Sequence, residues 1–426
     1  MSVASYKNRL LPWFIMLSLG LLSTDRIPAQ EKRQLPEGDQ CIICHQEEEL
    51  LPPDFSENDV HLQQGLSCAG CHGGDPTKED MDESMSPKAG FVGVPAKAQT
   101  PQFCGKCHSD INFMRAYQPR IATDQVSQFY TSVHGKKLQQ GDPKVADCSS
   151  CHTAHAILSA KDPRSSVYAL NVPATCQKCH SDKDYMKEYG ISTTQYDEFV
   201  ESVHGKALLE NKDTGAPACN DCHGNHGAIP PGITSISHVC GTCHVNNMQY
   251  FATTKMAREF EKEDIHGCEE CHGNHAVQKT FDDMVGVSDE SVCMNCHGEG
   301  DEGYESAKQI RLSLGNLVAA YDSAAAKQTE VQRVGMDDVD IGFLLQESHQ
   351  SLIQARTLVH TFDPVQVSGK TDEGIQKARE AHALALREIK DSKIRRMGFG
   401  VAALFATMLA VALFFKIREI ERKQGG

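Results

Sequence analysis

The sequence predicts a mainly α-helical protein with little regular structure in its N-terminal part, followed by a helical bundle and one C-terminal transmembrane helix. Three observations support this fold class. All 18 cysteines fall into nine copies of one five-residue word between residues 41 and 297. Residues 304–396 contain no cysteine and place apolar residues at three- and four-residue steps, as amphipathic helices do. Residues 397–415 form an uncharged apolar run that is long enough to cross a membrane.

The composition leaves the N-terminal part without an ordinary hydrophobic core. Only 6% of the 426 residues are aromatic and 40% are hydrophobic, which is below the level of a typical globular protein. The net charge of −15 argues against nucleic acid as a partner and against adsorption on acidic lipid, because both attract basic surfaces. It is compatible with basic protein partners. The core of this part therefore needs another source of apolar mass.

The repeated word is Cys-x-x-Cys-His, which is the attachment sequence of c-type haem. Its thiols bond to the haem vinyl groups, and its histidine binds the iron as the proximal ligand. Zinc sites and disulfides also use paired cysteines, but neither requires a histidine after every pair. The sequence therefore predicts nine covalently bound haem c groups, each with its iron. The cysteines are Cys41, Cys44, Cys68, Cys71, Cys104, Cys107, Cys148, Cys151, Cys176, Cys179, Cys219, Cys222, Cys240, Cys243, Cys268, Cys271, Cys293 and Cys296. The proximal histidines are His45, His72, His108, His152, His180, His223, His244, His272 and His297.

The spacing of the words predicts that the haems pack against one another. The words extend over 257 residues, from Cys41 to His297, which leaves about 29 residues for each haem. This is too little for separate haem domains of ordinary size. We therefore expect the haems to share walls and to supply the missing core, and haems packed in this way conduct electrons.

Eight further histidines lie among the words and are candidates for distal ligands. Some end a short amphipathic stretch, as in Ser132–Gly135 and Ser202–Gly205, and others follow a proximal histidine by three residues. A single such histidine is usually a surface residue, but the recurrence predicts that most of these bind iron. Iron with two histidine ligands suits electron transfer rather than substrate binding. The candidates are His61, His134, His155, His204, His226, His238, His266 and His275.

Eight distal candidates leave one of nine irons without a partner. His349, His360, His382 or a methionine is a candidate ligand, and an open position would be a catalytic site. For His349 or His360 taken alone, the sequence favours a role in helix packing or on a helix surface. In the first unit, Asp75 stands where later units carry the extra histidine, which leaves its ligands open. Met114 and Met186 are expected to pack against haem rather than to bind iron.

The sequence divides into five segments. Residues 1–29 predict a signal peptide with an apolar core and cleavage after Ala29, the alternative being an uncleaved anchor. Residues 30–303 hold the nine words. Within residues 304–396, the apolar spacing predicts helices over 305–333, 338–361 and 372–396, with interruptions near Gly335 and Pro364. This helical region is either a spacer or a docking platform. Residues 397–415 predict the membrane helix. Because haem is attached outside the cytoplasm, residues 416–426 are expected to be a cytoplasmic tail.

The words, together with the Ser-Val-His-Gly and Cys-His-x-x-His patterns, resemble the multihaem cytochromes c of bacterial respiration over residues 41–300. The helical region with its C-terminal anchor resembles cytochrome subunits that accompany membrane quinol-oxidising partners. The resemblance implies a haem chain that passes electrons between the cytoplasmic membrane and the periplasm. The implied partners are a quinol-oxidising or cytochrome b-type membrane subunit and a periplasmic redox protein.

We therefore expect a membrane-anchored, periplasmic electron-transfer subunit without a catalytic site of its own. The alternative is a multihaem reductase that acts on a small nitrogen or sulfur oxyanion at one five-coordinate haem. No word replaces its histidine by lysine, as the catalytic haem of some nitrite-reducing relatives does, and this disfavours the reductase. A structural role in a haem filament is disfavoured by the membrane helix.

Overall fold

The computed structural model describes residues 38–51, 55, 58–230 and 238–424. The predicted leader lies outside these residues. Within the described ranges every regular element is a helix and none is a β-strand, so the predicted mainly α fold is confirmed.

The part that carries the words consists of short helices joined by loops. None of the helices described before residue 300 is longer than nine residues. The α-helices are α1 (Gln40–Glu47), α2 (Val60–Gln63), α3 (Cys68–His72), α4 (Met81–Ser84), α5 (Thr100–His108), α6 (Ile111–Arg115), α7 (Gln125–Thr131), α8 (Val133–Gln139), α9 (Cys148–His152), α10 (Val172–His180), α11 (Lys183–Met186), α12 (Gln195–Glu201), α13 (Val203–Gly205), α14 (Cys219–His223), α15 (Val245–Ala252), α16 (Lys255–Lys262) and α17 (Glu269–His272). Turns of 3-10 helix cover Pro87–Ala89, Lys97–Gln99, Lys187–Tyr189, Asp282–Met284 and Val292–Asn295, and Lys206–Glu210 is a π-helical turn.

Aspartate side chains start several of these short helices. Asp39 accepts hydrogen bonds from the first backbone N–H groups of α1, Asp59 does so for α2, and Asp147 does so for α9. A helix of four or five residues leaves most of its N–H groups without a partner inside the helix, so such caps stabilise a large share of it. The local sequence thus fixes where these capped helices begin, while apolar packing contributes little. The buried apolar side chains here are few and scattered, among them Leu138, Leu208, Met114 and Met186.

Three long helices form a bundle after the last word: α18 (Glu302–Arg333), α19 (Val339–Leu358) and α20 (Pro364–Gln424). Neighbouring helices run in opposite directions, because one apolar cluster joins the start of α18 to the end of α19 and the other joins the end of α18 to the start of α19. One cluster contains Ile310, Leu314, Leu317, Leu352, Ala355 and Val367. The other contains Ala324, Val331, Ile341, Leu345, Ala378, Ala381, Ala385 and Ile389. A 3-10 turn, Val359–Thr361, connects α19 to α20.

The last helix is continuous from the bundle through the apolar run. The sequence predicted a bundle helix over 372–396 and a separate membrane helix, whereas α20 begins at Pro364 and extends over 61 residues. Proline is tolerated in the first turn of a helix, and the charged residues before Met397 are good helix formers, so nothing interrupts the hydrogen bonds. The apolar side chains of residues 397–415 are exposed, with Phe399 77% accessible. This helix is long and apolar enough to span a membrane.

Candidate haem sites

The sulfur atoms of successive words lie close together along the whole series. The thiols of Cys104 and Cys148 are within hydrogen-bonding distance, and this contact lowers the pKa of Cys104. Equivalent thiol contacts link Cys176 to Cys219, and Cys240 to Cys268. With haem attached these sulfurs would be thioethers, so the contacts serve here as a measure of proximity.

The other neighbouring words are connected through thiols that influence one another electrostatically. Burial raises the pKa of Cys68 to about 11, and the nearby Cys41 contributes. The same kind of interaction joins the remaining consecutive words. These links are Cys71 with Cys104 and Cys107, Cys151 with Cys176 and Cys179, Cys222 with Cys243, and Cys271 with Cys293 and Cys296. The nine words therefore form one uninterrupted row in chain order.

Seven of the nine proximal histidines face a second imidazole ring. The ring centroids in these pairs are 5.9–6.2 Å apart. The pairs, proximal histidine first, are His72–His155, His108–His61, His152–His226, His180–His134, His223–His275, His244–His204 and His272–His360.

The spacing of these pairs fits a metal ion held between two histidines. Two metal–nitrogen bonds of about 2 Å each, added to the half-widths of two imidazole rings, give a separation of this size. Burial also favours, in several of these rings, the neutral form that a metal ligand needs. Burial, with a contribution from the facing His180, lowers the pKa of His134, and burial together with His244 does the same for His204. The residues present therefore fit haem iron with two axial histidines.

Several of these rings are oriented through their second nitrogen. The Nδ1 atom of His72 lies 2.8 Å from the carbonyl oxygen of Gly93, and that of His223 lies 3.2 Å from the carbonyl oxygen of Ile229. A ring that donates its Nδ1–H to a carbonyl leaves Nε2 free for a metal. His61 instead places Nδ1 3.4 Å from the carboxylate of Asp59.

The Ser-Val-His-Gly motif positions its histidine by a local hydrogen-bond pattern. The Ser132 hydroxyl accepts a hydrogen bond of 2.8 Å from the Gly135 N–H and donates one of 2.5 Å to the Phe129 carbonyl. Ser202 repeats this pattern with Gly205 and Phe199. A Cβ atom on either glycine would collide with the phenylalanine carbonyl of the same motif. The motif therefore needs both serine and glycine to turn the chain at the distal histidine.

Backbone hydrogen bonds connect the two kinds of distal histidine across units. The N–H of Val60, before His61, donates to the carbonyl of Ile157, two residues after His155. The N–H of Val133 donates likewise to Ala228, and that of Val203 to Val277. Each unit is thus tied to the next by the segments that carry the distal candidates, an arrangement that is invisible in sequence spacing.

The structure brings six of the eight distal candidates to proximal histidines, and His238 and His266 lie elsewhere. His238 is exposed, two residues before Cys240. The Nδ1 atom of His266 lies 2.7 Å from the carboxylate of Glu269. The seventh facing ring is His360, for which the sequence favoured a packing role. The chain returns from α19 directly onto His272, which brings the two rings together.

Two proximal histidines differ from the others. All 20 histidines lie in the described residues, and among them His45 and His297 face no second histidine ring. The Nδ1 atom of His297 lies 3.3 Å from the carboxylate of Asp301, which also caps the start of α18. A Cβ atom at Gly303 would overlap the His297 ring. The ninth word is therefore packed directly against the bundle.

A cavity lies beside one of the paired rings. It has a volume of about 300 Å³ and is lined by His152, Thr153, Arg164 and Lys178, among others. Its two cationic side chains would suit the acidic propionate groups of a haem. In the helical region, His349 packs against the ring of Tyr321 and not against a proximal histidine.

The comparison with protein families agrees with this geometry. Residues 60–181 match the family model described as cytochrome c3. The matched segment contains the second to fifth words and three complete His-His pairs, His72–His155, His108–His61 and His180–His134. No curated protein and no solved structure matches the chain. The chain therefore carries a multihaem c-type cytochrome region that binds haem c covalently and serves haem-mediated electron transfer.

Proposed function

We propose that this multihaem c-type cytochrome carries nine haems and is an electron conduit anchored in the cytoplasmic membrane. Haem c bound at each word would supply a one-electron iron centre close to the centres of the neighbouring words. The observation that carries the proposal is the row of neighbouring words from Cys41 to Cys296, in which three pairs of words make thiol contacts and the other neighbours interact electrostatically. A protein that needed only one reactive haem would have no use for such a row.

The protein side chains hold the haem row and suit it to electron transfer. The cysteines would fix each haem, and at seven words the paired histidines would hold its iron, which suits one-electron transfer. The Nδ1 partners of His72 and His61, a carbonyl and a carboxylate, give their rings different basicity and so separate the potentials of the irons.

We place the haem region in the periplasm, with residues 397–415 crossing the membrane and residues 416–426 in the cytoplasm. The proposed partners are a quinol-oxidising or cytochrome b-type membrane subunit and a soluble periplasmic redox protein. The net charge of −15 favours a soluble partner with a basic docking patch.

The haem count and ligation can be measured together on the purified protein. We expect nine irons for each chain, nine haem-bearing peptides in mass spectrometry, and an electron paramagnetic resonance spectrum dominated by low-spin iron. Replacing both Cys41 and Cys44 by alanine should leave eight. A haem content well below nine, or mostly high-spin iron, would contradict the proposal.

A second function is favoured by the environment of two words. Since His45 and His297 face no other histidine in the described residues, their irons would have an open position suited to a small ligand. Such a position fits a reductase of a nitrogen or sulfur oxyanion. Adding nitrite should then shift a high-spin signal amounting to about two haems in nine. A spectrum without any high-spin iron would exclude this function.

A further inference from the structure

We propose that His360, which lies in the helical bundle and not among the words, is the distal ligand of the iron at the eighth word. The ligand group is a neutral imidazole, and the proposal rests on the proposed haem attachment at Cys268 and Cys271. It makes the bundle a part of the haem region, whereas the sequence suggested only a spacer or a docking platform.

The geometry of the pair is that of the six other pairs. The ring centroids of His272 and His360 are 6.1 Å apart and their planes differ by 25°. The Nδ1 atom of His360 lies 3.0 Å from the carbonyl oxygen of Thr357, which orients the ring as the carbonyl partner of His72 does. The His360 side chain is partly buried.

The chain around His360 holds it against the haem region from several sides. It lies in the turn Val359–Thr361, and Phe362 follows at a φ of 52°, which directs the chain into α20. The Phe362 ring packs edge-on against Phe251 of α15. On the same side, Arg356 makes two hydrogen bonds of 2.8 and 2.9 Å to the carboxylate of Asp282.

The internal repeat explains why a residue outside the words is needed. The second, fourth and sixth words each receive their facing histidine from the Cys-His-x-x-His segment two words later: His155, His226 and His275. The eighth word has no tenth word to supply one, and His360 occupies that place. At the other end, Asp75 replaces the histidine that would serve a word before the first.

The absence of a following unit also explains why His266 does not face the proximal histidine of the ninth word. The residues before His61, His134 and His204 bond to the segment two words later, but the N–H of Ile265 bonds to the nearby carbonyl of Phe260. Without a following unit, His266 is not carried to the iron of the ninth word. Its Nδ1 atom contacts Glu269 instead.

The test compares His360→Ala with His382→Ala, a matched variant in the same bundle. Both should retain haem on the Cys268–His272 peptide. Only His360→Ala should convert about one haem in nine from low-spin to high-spin iron, as seen by magnetic circular dichroism and electron paramagnetic resonance. His360→Met should restore a low-spin iron and raise one midpoint potential, because methionine is also an axial ligand.

Two results would contradict either the role of His360 or the haem attachment on which it depends. Full haem loading with an unchanged low-spin fraction in His360→Ala would overturn the role of His360. Absence of haem from the Cys268–His272 peptide of the unaltered protein would instead overturn the proposed function at that word. If His360→Ala fails to fold, an unchanged spectrum and unchanged potentials in His360→Met would overturn the proposal.

A different observation carries a second inference, which concerns the electron partner. We infer that the bundle is a stalk that holds the haem row at a distance from the membrane. The eighth and ninth words, and the segment between them, contact the bundle end that contains His360 and Gly303. From Pro364 to the apolar run at Met397, α20 rises by about 50 Å at 1.5 Å per residue.

This separation decides what kind of donor or acceptor can reach the nearest haems. Electron tunnelling falls exponentially with distance, and a quinol dissolved in the bilayer would be far too remote from the eighth and ninth words. The membrane partner must therefore be a protein that carries its own redox centre up to the height of the turn Val359–Thr361. This refines the proposed quinol-oxidising partner and depends on the membrane anchoring.

Electron cryomicroscopy of the full chain in lipid nanodiscs tests the stalk directly. We expect the haem density at the eighth and ninth words to lie about 50 Å from the disc surface, and a lipid-dissolved quinol to leave the haems oxidised while a soluble dye reduces them. Haem density in contact with the disc, or direct reduction by the lipid quinol, would overturn the stalk. A chain that does not insert into discs would instead contradict the proposed anchoring.

Discussion

Thr153 shows how one residue can differ from its equivalents in a repeat. The helices of the second, sixth and eighth words end at Gly73, Gly224 and Gly273, with φ of 70°, 86° and 73°. The fourth word has Thr153 at a φ of 68° and ψ of 164°, a region that is almost restricted to glycine. Its hydroxyl donates a hydrogen bond of 2.8 Å to the carbonyl of His155, which partly offsets the strain.

We expect glycine to be better than alanine at this position. Thr153→Ala loses the hydroxyl bond and keeps the strain, whereas Thr153→Gly relieves the strain, so the glycine variant should be more stable by about 1–3 kcal/mol. Denaturation midpoints followed by haem absorbance measure the difference. Thr253, whose φ is −87° and whose hydroxyl also bonds to a carbonyl, is the control. There alanine should equal or exceed glycine, and the same order at both sites would refute the strain argument.

At the scale of elements, the bundle obtains its stability from ordinary apolar packing, unlike the haem region. Leu317 of α18 is fully buried in the cluster with Leu352 and Val367. Leu312, on the same helix, is 64% exposed. Because the two side chains are identical and lie about one turn and a half apart on the same helix, comparing them isolates the effect of burial on stability.

Leu317→Ala should lower the free energy of unfolding of the bundle by about 2–5 kcal/mol, because it leaves a cavity in a packed core. Leu312→Ala should change it by no more than about 0.5 kcal/mol. Urea denaturation followed by far-ultraviolet circular dichroism measures both. Equal effects would mean that α18 does not pack on this face in solution.

At the scale of the whole molecule, anchoring and haem loading are separable. The apolar run begins after Arg396, and the described bundle core ends near Ile389. A chain that ends at Arg396 should leave the membrane fraction, remain soluble without detergent and retain the haem content and low-spin spectrum of the full chain. Membrane fractionation and haem quantification check this. Loss of haem from the shortened chain would show that the membrane helix supports the haem region.

The sequence by itself determined the haem words, the mainly helical fold class and the apolar C-terminal helix. These features are local, since a covalent attachment word, a helical period and an apolar run are each read within a few consecutive residues. The proximal histidines follow for the same reason, because each belongs to its word. The distal candidates were recognisable as a group from their repeated settings, such as Ser132–Gly135.

Only the tertiary structure decided which rings face each other. The second word meets His155, two words further along the chain, and the eighth word meets His360, which no local pattern connects to His272. Such pairs depend on contacts between segments far apart in sequence, including the bond from Val60 to Ile157. The same holds for the continuity of α20, since its length follows from packing and from the absence of any interruption. The residues that attach haem can therefore be read from short stretches of sequence, whereas the pairing of the histidine rings is set by contacts between distant segments.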